Sequence, residues 1–431
     1  MTVALVGFGV LLLLCFFGFR VGFATMLVGL VGFAYERGWS AAFAMTGQQI
    51  VEDAMSYNLS VIPLFILMGV FIYRADLSKD LYTAAYSGLG RFRGGLALST
   101  VVACAGFSAV CGSSVATAAT MTKVAMPPMR QYRYHDSLSS GTIAAGGTLG
   151  IMIPPSVPLV IYGIVAEQDI GKLFIAGVLP GILLVALFMG AVAVTVRLNP
   201  EAGPAGEPLD PAEVRHALRA VWPVLGLFLL VLGGIYGKVF TPTEASGIGA
   251  VGAAVIAFCR GHLRSLAEWR ASLVEATRTT ATLFIVIFGA LVFAQFINLS
   301  GMPYDLLDIV DEMALSPTGL VLFVAFIAIL MGMIFESIGI LLLLVPVFLP
   351  ALYASGVDMI WFGIIVVLVT ELGLITPPIG MNVFVVRSVM PDIALGDIFR
   401  GVTAFIVADA VALTLVFLIP AIATLLPAFM E

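Results

Sequence analysis

The stretch GTLGIMIPPS at residues 147–156 decides the fold, because TELGLITPPI at 370–379 repeats its punctuation. Gly150, Pro154 and Pro155 match Gly373, Pro377 and Pro378 at one constant offset. A proline inside a helix removes an N–H donor and clashes with the preceding turn, and a nearby glycine lets the chain unwind. Both stretches therefore read as helices broken near their middle. The same offset lays Ser113-Ser114 on Glu336-Ser337 and Pro127 on Pro350, so the match extends well beyond one motif.

The composition names the solvent around these helices. Of 431 residues, 61% are hydrophobic and only 11% are charged, with 20 Lys and Arg against 26 Asp and Glu. A soluble domain is about 45–50% apolar and about 25% charged, so lipid has to replace the missing charged surface. Apolar runs of about 18 or more residues recur along the chain, the mark of a polytopic helical membrane protein. The net charge of -6 offers no basic excess for nucleic acid. The four cysteines and three histidines have neither C-x-x-C nor H-x-x-x-H spacing, which leaves disulfide, zinc and haem readings without support. The start, MTVALVGFGVLLLLCFFGF, lacks a basic n-region and an A-x-A site, and is kept as a membrane helix.

Apolar segments are expected near 2–35, 55–73, 94–128, 137–166, 173–196, 220–237, 241–259, 279–299, 318–352, 359–386 and 401–428. Those at 94–128 and 318–352 are too long for one crossing of about 20 residues and too short for two. With small or polar residues at their middles, they read as re-entrant hairpins. The remainder gives nine crossings. Loops on one side then hold 15 Lys and Arg and loops on the other hold three, which by the positive-inside rule places the amino end in the cytoplasm. Arg74, Lys79, Arg91 and Arg93 precede the first hairpin, whereas Asp305, Asp308, Asp311 and Glu312 precede the second. The repeat is therefore inverted. Residues 1–197 form the first repeat, with its hairpin at about 94–128 and its broken helix at about 137–166. A Pro- and Gly-rich linker at 198–219 separates it from 220–431, which holds an extra helix and the second repeat, with hairpin and broken helix at about 318–352 and 359–386.

Inverted repeats with paired broken helices are the pattern of a secondary transporter, whose site lies near the bilayer midplane. Backbone carbonyls freed at the breaks are tolerated in a membrane only when they line a cavity or are buried in protein, and a small hard cation satisfies them well. Glu336, Glu371 and Asp409 lie within apolar segments, where an ionisable residue is costly and marks function by default. No nucleophile–base pair stands out, so an enzyme is not indicated.

AAGGTLGIMIPPSVPLVIYG at 144–163, TELGLITPPIGMNVFVV at 370–386, a CGSSVATAA hairpin tip, PLFILMG at 63–69 and GMIFESIGILLLLVPVFLP at 332–350 together resemble the large membrane subunit (DctM-like) of tripartite ATP-independent periplasmic (TRAP) transporters. The resemblance runs the full length. It implies an elevator-type sodium symporter for a small organic anion in a bacterial inner membrane, working with a small four-helix membrane subunit and a periplasmic solute-binding protein. C4-dicarboxylates and sialic acids are among the substrates of such subunits. It also implies a first sodium site at Ser113, Ser114, Gly150, Ile153 and Pro155, and a mirrored one at Gly332, Ser337, Gly373 and Thr376. For the substrate, the candidates are Glu336, Arg20, Arg387, Ser156 and Asn382, the last two at half-helix N-termini that favour a carboxylate. A stand-alone sodium/organic-anion symporter of related architecture, and a channel or structural subunit without coupled transport, remain as alternatives.

Overall fold

The computed structural model describes residues 2–207, 210–313 and 315–430. Among them the chain is helical throughout, and six helices are by themselves long and apolar enough to cross a membrane. In chain order the helices are α1 (Thr2–Phe16), α2 (Val21–Arg37), α3 (Trp39–Ala54), α4 (Val61–Arg74), α5 (Leu77–Leu89), α6 (Gly95–Cys111), α7 (Ser114–Gln131), α8 (Asp136–Met152), α9 (Val157–Val165) and α10 (Ile170–Leu198). They continue as α11 (Pro211–Tyr236), α12 (Pro242–Cys259), α13 (Leu266–Leu299), α14 (Met302–Glu312), α15 (Pro317–Gly332), α16 (Ser337–Ala354), α17 (Met359–Ile375), α18 (Met381–Val389), α19 (Leu395–Leu418) and α20 (Ala421–Ala428).

The offset of the two Pro-Pro motifs recurs in the helices. It carries both ends of α7 onto the ends of α16, and both ends of α8 onto the ends of α17. α6 with α7 and α15 with α16 form the two hairpins. α8 with α9, bent by 41°, and α17 with α18 form the two broken helices. The Pro154–Pro155 and Pro377–Pro378 bonds are both cis.

Several segment boundaries differ from the sequence expectation, each for a local reason. The apolar run 2–35 is two helices, because Gly18 turns with φ +87° and Arg20 becomes the extended N-cap of α2. The expected loops at 36–54, 74–93 and 300–317 contain the helices α3, α5 and α14. α13 begins at Leu266 rather than near the expected 279, because the Ser265 hydroxyl and the Glu268 carboxylate close a capping box there. In the linker, Asp210 and Pro211 start α11 well before residue 220, with the Asp210 carboxylate accepting from Ala212 N–H. At the carboxyl end Pro420 divides 401–428 between α19 and α20.

Packing sorts the helices into a frame and a hairpin body. In the frame, α13 lies along α2 and α4, and α12 along α4 and α11. The Arg74 guanidinium grips Glu275 with bonds of 3.0 and 2.6 Å and ties α4 to α13. In the body, α8 packs on α6, α7 and α19, while α17 packs on α15, α16 and α19. The repeats also cross over: α18 of the second lies on α7 and α8 of the first, and α9 of the first lies on α16 of the second. At one end of the body, Tyr162 donates to Met359 O at 2.5 Å and Tyr353 donates to Ala166 O at 2.8 Å. At the other, Arg130 bridges Asp136 and Asp392 at 2.9 and 2.6 Å, and this bond holds the Asp392 carboxyl below its usual range.

The helices leading into both breaks are wrapped by protein, and so is the first break, whereas Pro377, Pro378 and Ile379 at the second break are exposed. Leu138–Met152 of α8 and Trp361–Ile375 of α17 are buried without interruption. Such wrapping requires close crossings. α8 and α19 cross backbone on backbone, since a Cβ on Gly401 would stand 1.9 Å from Ser137 O and one on Gly141 would stand 2.3 Å from the Gly401 carbonyl carbon. Gly401→Ala is expected to force these helices apart at a cost of about 1–3 kcal/mol and to lower the thermal midpoint of the detergent-purified protein. Gly396→Ala, on the same helix with open space around the added methyl, is expected to leave the midpoint unchanged.

Candidate functional site

The site is built from the two hairpin tips and the two helix breaks. α6 ends at Gly112, which adopts φ +63°. Ser113 then starts α7 in an extended conformation, its hydroxyl accepting from Ala116 N–H at 3.4 Å. Against this tip lies the break after Met152, where Ile153 leaves the helix with φ -75° and ψ 120°. A Cβ on Gly150 would meet Ser113 O at 2.8 Å, and a Cβ on Gly112 would meet Pro155 O at 2.8 Å. Two bare Cα positions thus let a carbonyl oxygen of the tip pack on the helix before the break, and a carbonyl oxygen of the break pack on the tip.

The second site repeats the device with a different contact. A Cβ on Gly373 would stand 2.6 Å from Gly332 Cα and 3.1 Å from Gly332 O, so the end of α15 touches α17 just before its break. Thr376, at the break, donates its hydroxyl to Leu372 O at 2.6 Å. Glu336 occupies the N-cap of α16 without a side-chain capping bond, and Ser337 beside it is buried.

A cavity of about 630 Å³ lies under both tips and between body and frame. Gly112, Ser113, Ser114, Glu336 and Ser337 line its head. α7 supplies the stripe Ala116, Ala119, Thr120 and Lys123, and α13 supplies Glu275, Thr279, Thr282 and Leu283. Both stripes follow the three-and-four spacing of one helix face. Ile66, Gly69, Val70 and Tyr73 of α4 complete the frame wall. The cavity therefore runs from the tips towards the ends of α4 and α7 that carry Arg74 and Arg130, the side that the basic loops assign to the cytoplasm.

The structure thus gathers Ser113, Ser114, Glu336 and Ser337 on the cavity, sets Gly150, Ile153 and Pro155 behind the first tip, and sets Gly332, Gly373 and Thr376 behind the second. Ser156 is buried as the cap of α9, donating to Ile151 O and accepting from Leu159 N–H at 3.4 Å. Asn382 is buried in the crossover between repeats, where Nδ2 donates to Ala144 O at 3.1 Å and Oδ1 has no partner among the described residues. Arg387 spends its guanidinium on the carbonyls of Pro391 and Ile393, in the loop after α18. Neither Arg387 nor Arg20 lines the cavity. Glu371 and Asp409 are buried in the body away from it, with no hydrogen-bond partner among the described residues. Lys123, Thr120, Thr279 and Thr282 were not singled out from the sequence. The signal is the three-and-four spacing of Thr120 and Lys123 on α7 and of Glu275, Thr279 and Thr282 on α13, legible only once each facing helix is known.

Comparison with known proteins follows the same architecture. The sequence profile described as "Tripartite ATP-independent periplasmic transporter, DctM component" matches residues 8–422. The chain is 36% identical over 380 residues to the C4-dicarboxylate TRAP transporter large permease protein DctM of Pseudomonas aeruginosa, covering 88% of each chain. It is 31% identical over 415 residues to the sialic acid TRAP transporter large permease protein SiaM of Vibrio cholerae, covering 96% of each. It is 30% identical over 431 residues to the ectoine TRAP transporter large permease protein TeaC of Halomonas elongata, covering 99% of each. Among solved structures, the YdaH transporter of Alcanivorax borkumensis has a similar fold, with a TM-score of 0.63 at 14% identity over 91% of this chain and 89% of that one.

Gly150→Ala and Gly373→Ala are each expected to lower uptake by the reconstituted transporter more than tenfold without loss of membrane insertion. Gly190→Ala, where nothing lies within 4 Å of the added methyl, serves as the control with unchanged uptake.

Proposed function

The chain belongs to the DctM component family of tripartite ATP-independent periplasmic transporters, and from that premise we propose that it imports a small carboxylate-bearing organic acid by sodium symport with elevator-type movement of the hairpin body. Relatives of this chain are transport proteins, and the family works with a small membrane subunit and a periplasmic binding protein. For this chain the reading is a bacterial inner-membrane permease to which a soluble binding protein delivers its cargo from outside.

The observation that carries the proposal is the position of the cavity. It lies between the hairpin body and the frame helices α4 and α13 and ends on both hairpin tips, so a shift of the body along these helices carries the tips, and whatever they hold, past the frame. α5 and α14 are suited to link the bodies through such a shift. Each is a short amphipathic helix leading into a hairpin, and each packs against both parts: α5 on α6 and α11, α14 on α16 and α13.

Sodium coupling rests on the chemistry of the breaks. Ser113, Gly150, Ile153 and Pro155, with Ser114 beside them, are the residues we assign to the first ion, supported by the close packing of Ser113 O on Gly150 and of Pro155 O on Gly112. Gly332, Ser337, Gly373 and Thr376 stand in the related place behind the second. Oxygen donors of this kind suit a hard monovalent cation, and a cation there neutralises carbonyl dipoles that lipid cannot. The ions build the site on which the carboxylate then settles, so substrate and sodium bind together and neither moves productively alone.

Ser113→Ala and Thr376→Ala are each expected to raise the sodium concentration for half-maximal uptake about three- to tenfold, the effect of losing ~1 kcal/mol of ligation. Uptake into proteoliposomes against external sodium measures this, and unchanged sodium dependence in both variants sinks the site assignment. Omitting the binding protein is expected to reduce uptake to background. Full-rate uptake without it refutes the tripartite reading.

A further inference from the structure

The charges on the cavity wall do not match a substrate with acid at both ends. Among the described residues three charged side chains line it, Lys123, Glu275 and Glu336. Glu275 is taken up by the two-bond grip of Arg74. Lys123 and Glu336 make no hydrogen bond or ion pair with any described residue, and both are accessible from the cavity. The wall thus presents one free cation and one free carboxylate.

Their placement separates them along the cavity. Glu336 sits at the second tip, at the head of the space. Lys123 lies further along α7 from Ser114, about 13.5 Å along the helix axis at about 1.5 Å per residue, on a flexible four-carbon arm. Thr120 lies between Ser114 and Lys123 on α7, and on the facing wall Thr279 and Thr282, whose hydroxyls donate to Glu275 O and Arg278 O, keep acceptor lone pairs for a ligand. A charge drawn out of bulk water is costly unless a partner comes with it. A bound molecule that supplies both partners therefore gains twice, whereas one with a carboxylate at each end satisfies Lys123 and sets like charge against Glu336.

We infer that the cavity selects a monocarboxylate whose far end carries hydrogen-bond donors, an ammonium or a set of hydroxyls, with Lys123 taking the carboxylate and Glu336 the donor end. This rests on the cavity being the transport site. Lys123 is then the specificity-determining cation of the site, and Glu336 discriminates against dicarboxylates. Discrimination built on an unpaired charge is the strong kind, because the wrong ligand is repelled rather than merely held less well.

The test uses the purified complex of the two membrane subunits at saturating sodium and two matched pairs of probes, 4-aminobutyrate with succinate and gluconate with glucarate. The concentration giving half-maximal thermal stabilisation is read for each. In the wild-type protein the monocarboxylate of at least one pair is expected to bind at least tenfold more tightly than its partner. Lys123→Ala should weaken that binding tenfold or more with the ligand-free midpoint unchanged, and Lys123→Arg should recover most of it. Glu336→Gln should bring the dicarboxylate within about threefold of its partner. Dicarboxylates that bind as tightly as their partners, or a Lys123→Ala variant that binds normally, overturn the inference. If that binding is still sodium-dependent, the symporter reading stands without it; absence of sodium-dependent binding by all four acids counts against both.

Discussion

A backbone polar group in the hydrocarbon core of a membrane has no water to turn to, and each one left unpaired costs several kcal/mol. The rest of this structure depends on that constraint. Pro154-Pro155 and Pro377-Pro378 break two helices where the chain is expected to lie deep in the bilayer; protein encloses the first break, while at the second it encloses the helix up to Ile375 and leaves Pro377, Pro378 and Ile379 exposed. α8 and α17 are buried over nearly their whole length, on one side by their own repeat's hairpin and on another by α19.

Protection at that density is possible only where side chains are absent. Gly141 on Gly401 brings α8 and α19 into backbone contact, and Gly332 on Gly373 does the same for α15 and α17. At Gly150 and Gly112 the missing Cβ has a second consequence, because the atoms that fill the space are carbonyl oxygens of the opposing segment. Tight packing and the candidate ion sites are thus one feature of the sequence seen twice. The crossing over of α9 and α18 onto the other repeat's hairpin, with the Tyr162, Tyr353 and Arg130 bonds at the ends, makes the two repeats a single unit. The cavity forms where that unit meets α4 and α13.

Much of this was legible from periodicity and punctuation. The constant offset between the two Pro-Pro motifs located both hairpins and both breaks closely, since Pro, Gly and Ser act on the backbone locally and need no neighbour. Local signals of the opposite kind were missed. Gly18 interrupts an apolar run that hydropathy treats as continuous, and α3, α5 and α14 are helices in stretches polar enough to read as loops. Hydropathy measures affinity for lipid, whereas helix formation at an interface depends on caps and on one apolar face.

The substrate candidates divide for a further reason. Arg20 and Arg387 carry the charge an organic acid needs, but the direction of a guanidinium is set by its surroundings: Arg387 turns to Pro391 and Ile393, and Arg20 caps α2 away from the cavity. Lys123, one of several polar residues of α7, faces the cavity because that helix turns the face bearing Ala116, Ala119, Thr120 and Lys123 towards α13. The sequence by itself determined the solvent, the repeat and the positions of the broken helices, all consequences of how a backbone behaves in lipid. Only the tertiary structure decided which charges share a space, because that depends on distances between helices far apart in the chain, and no local rule of composition or spacing contains them.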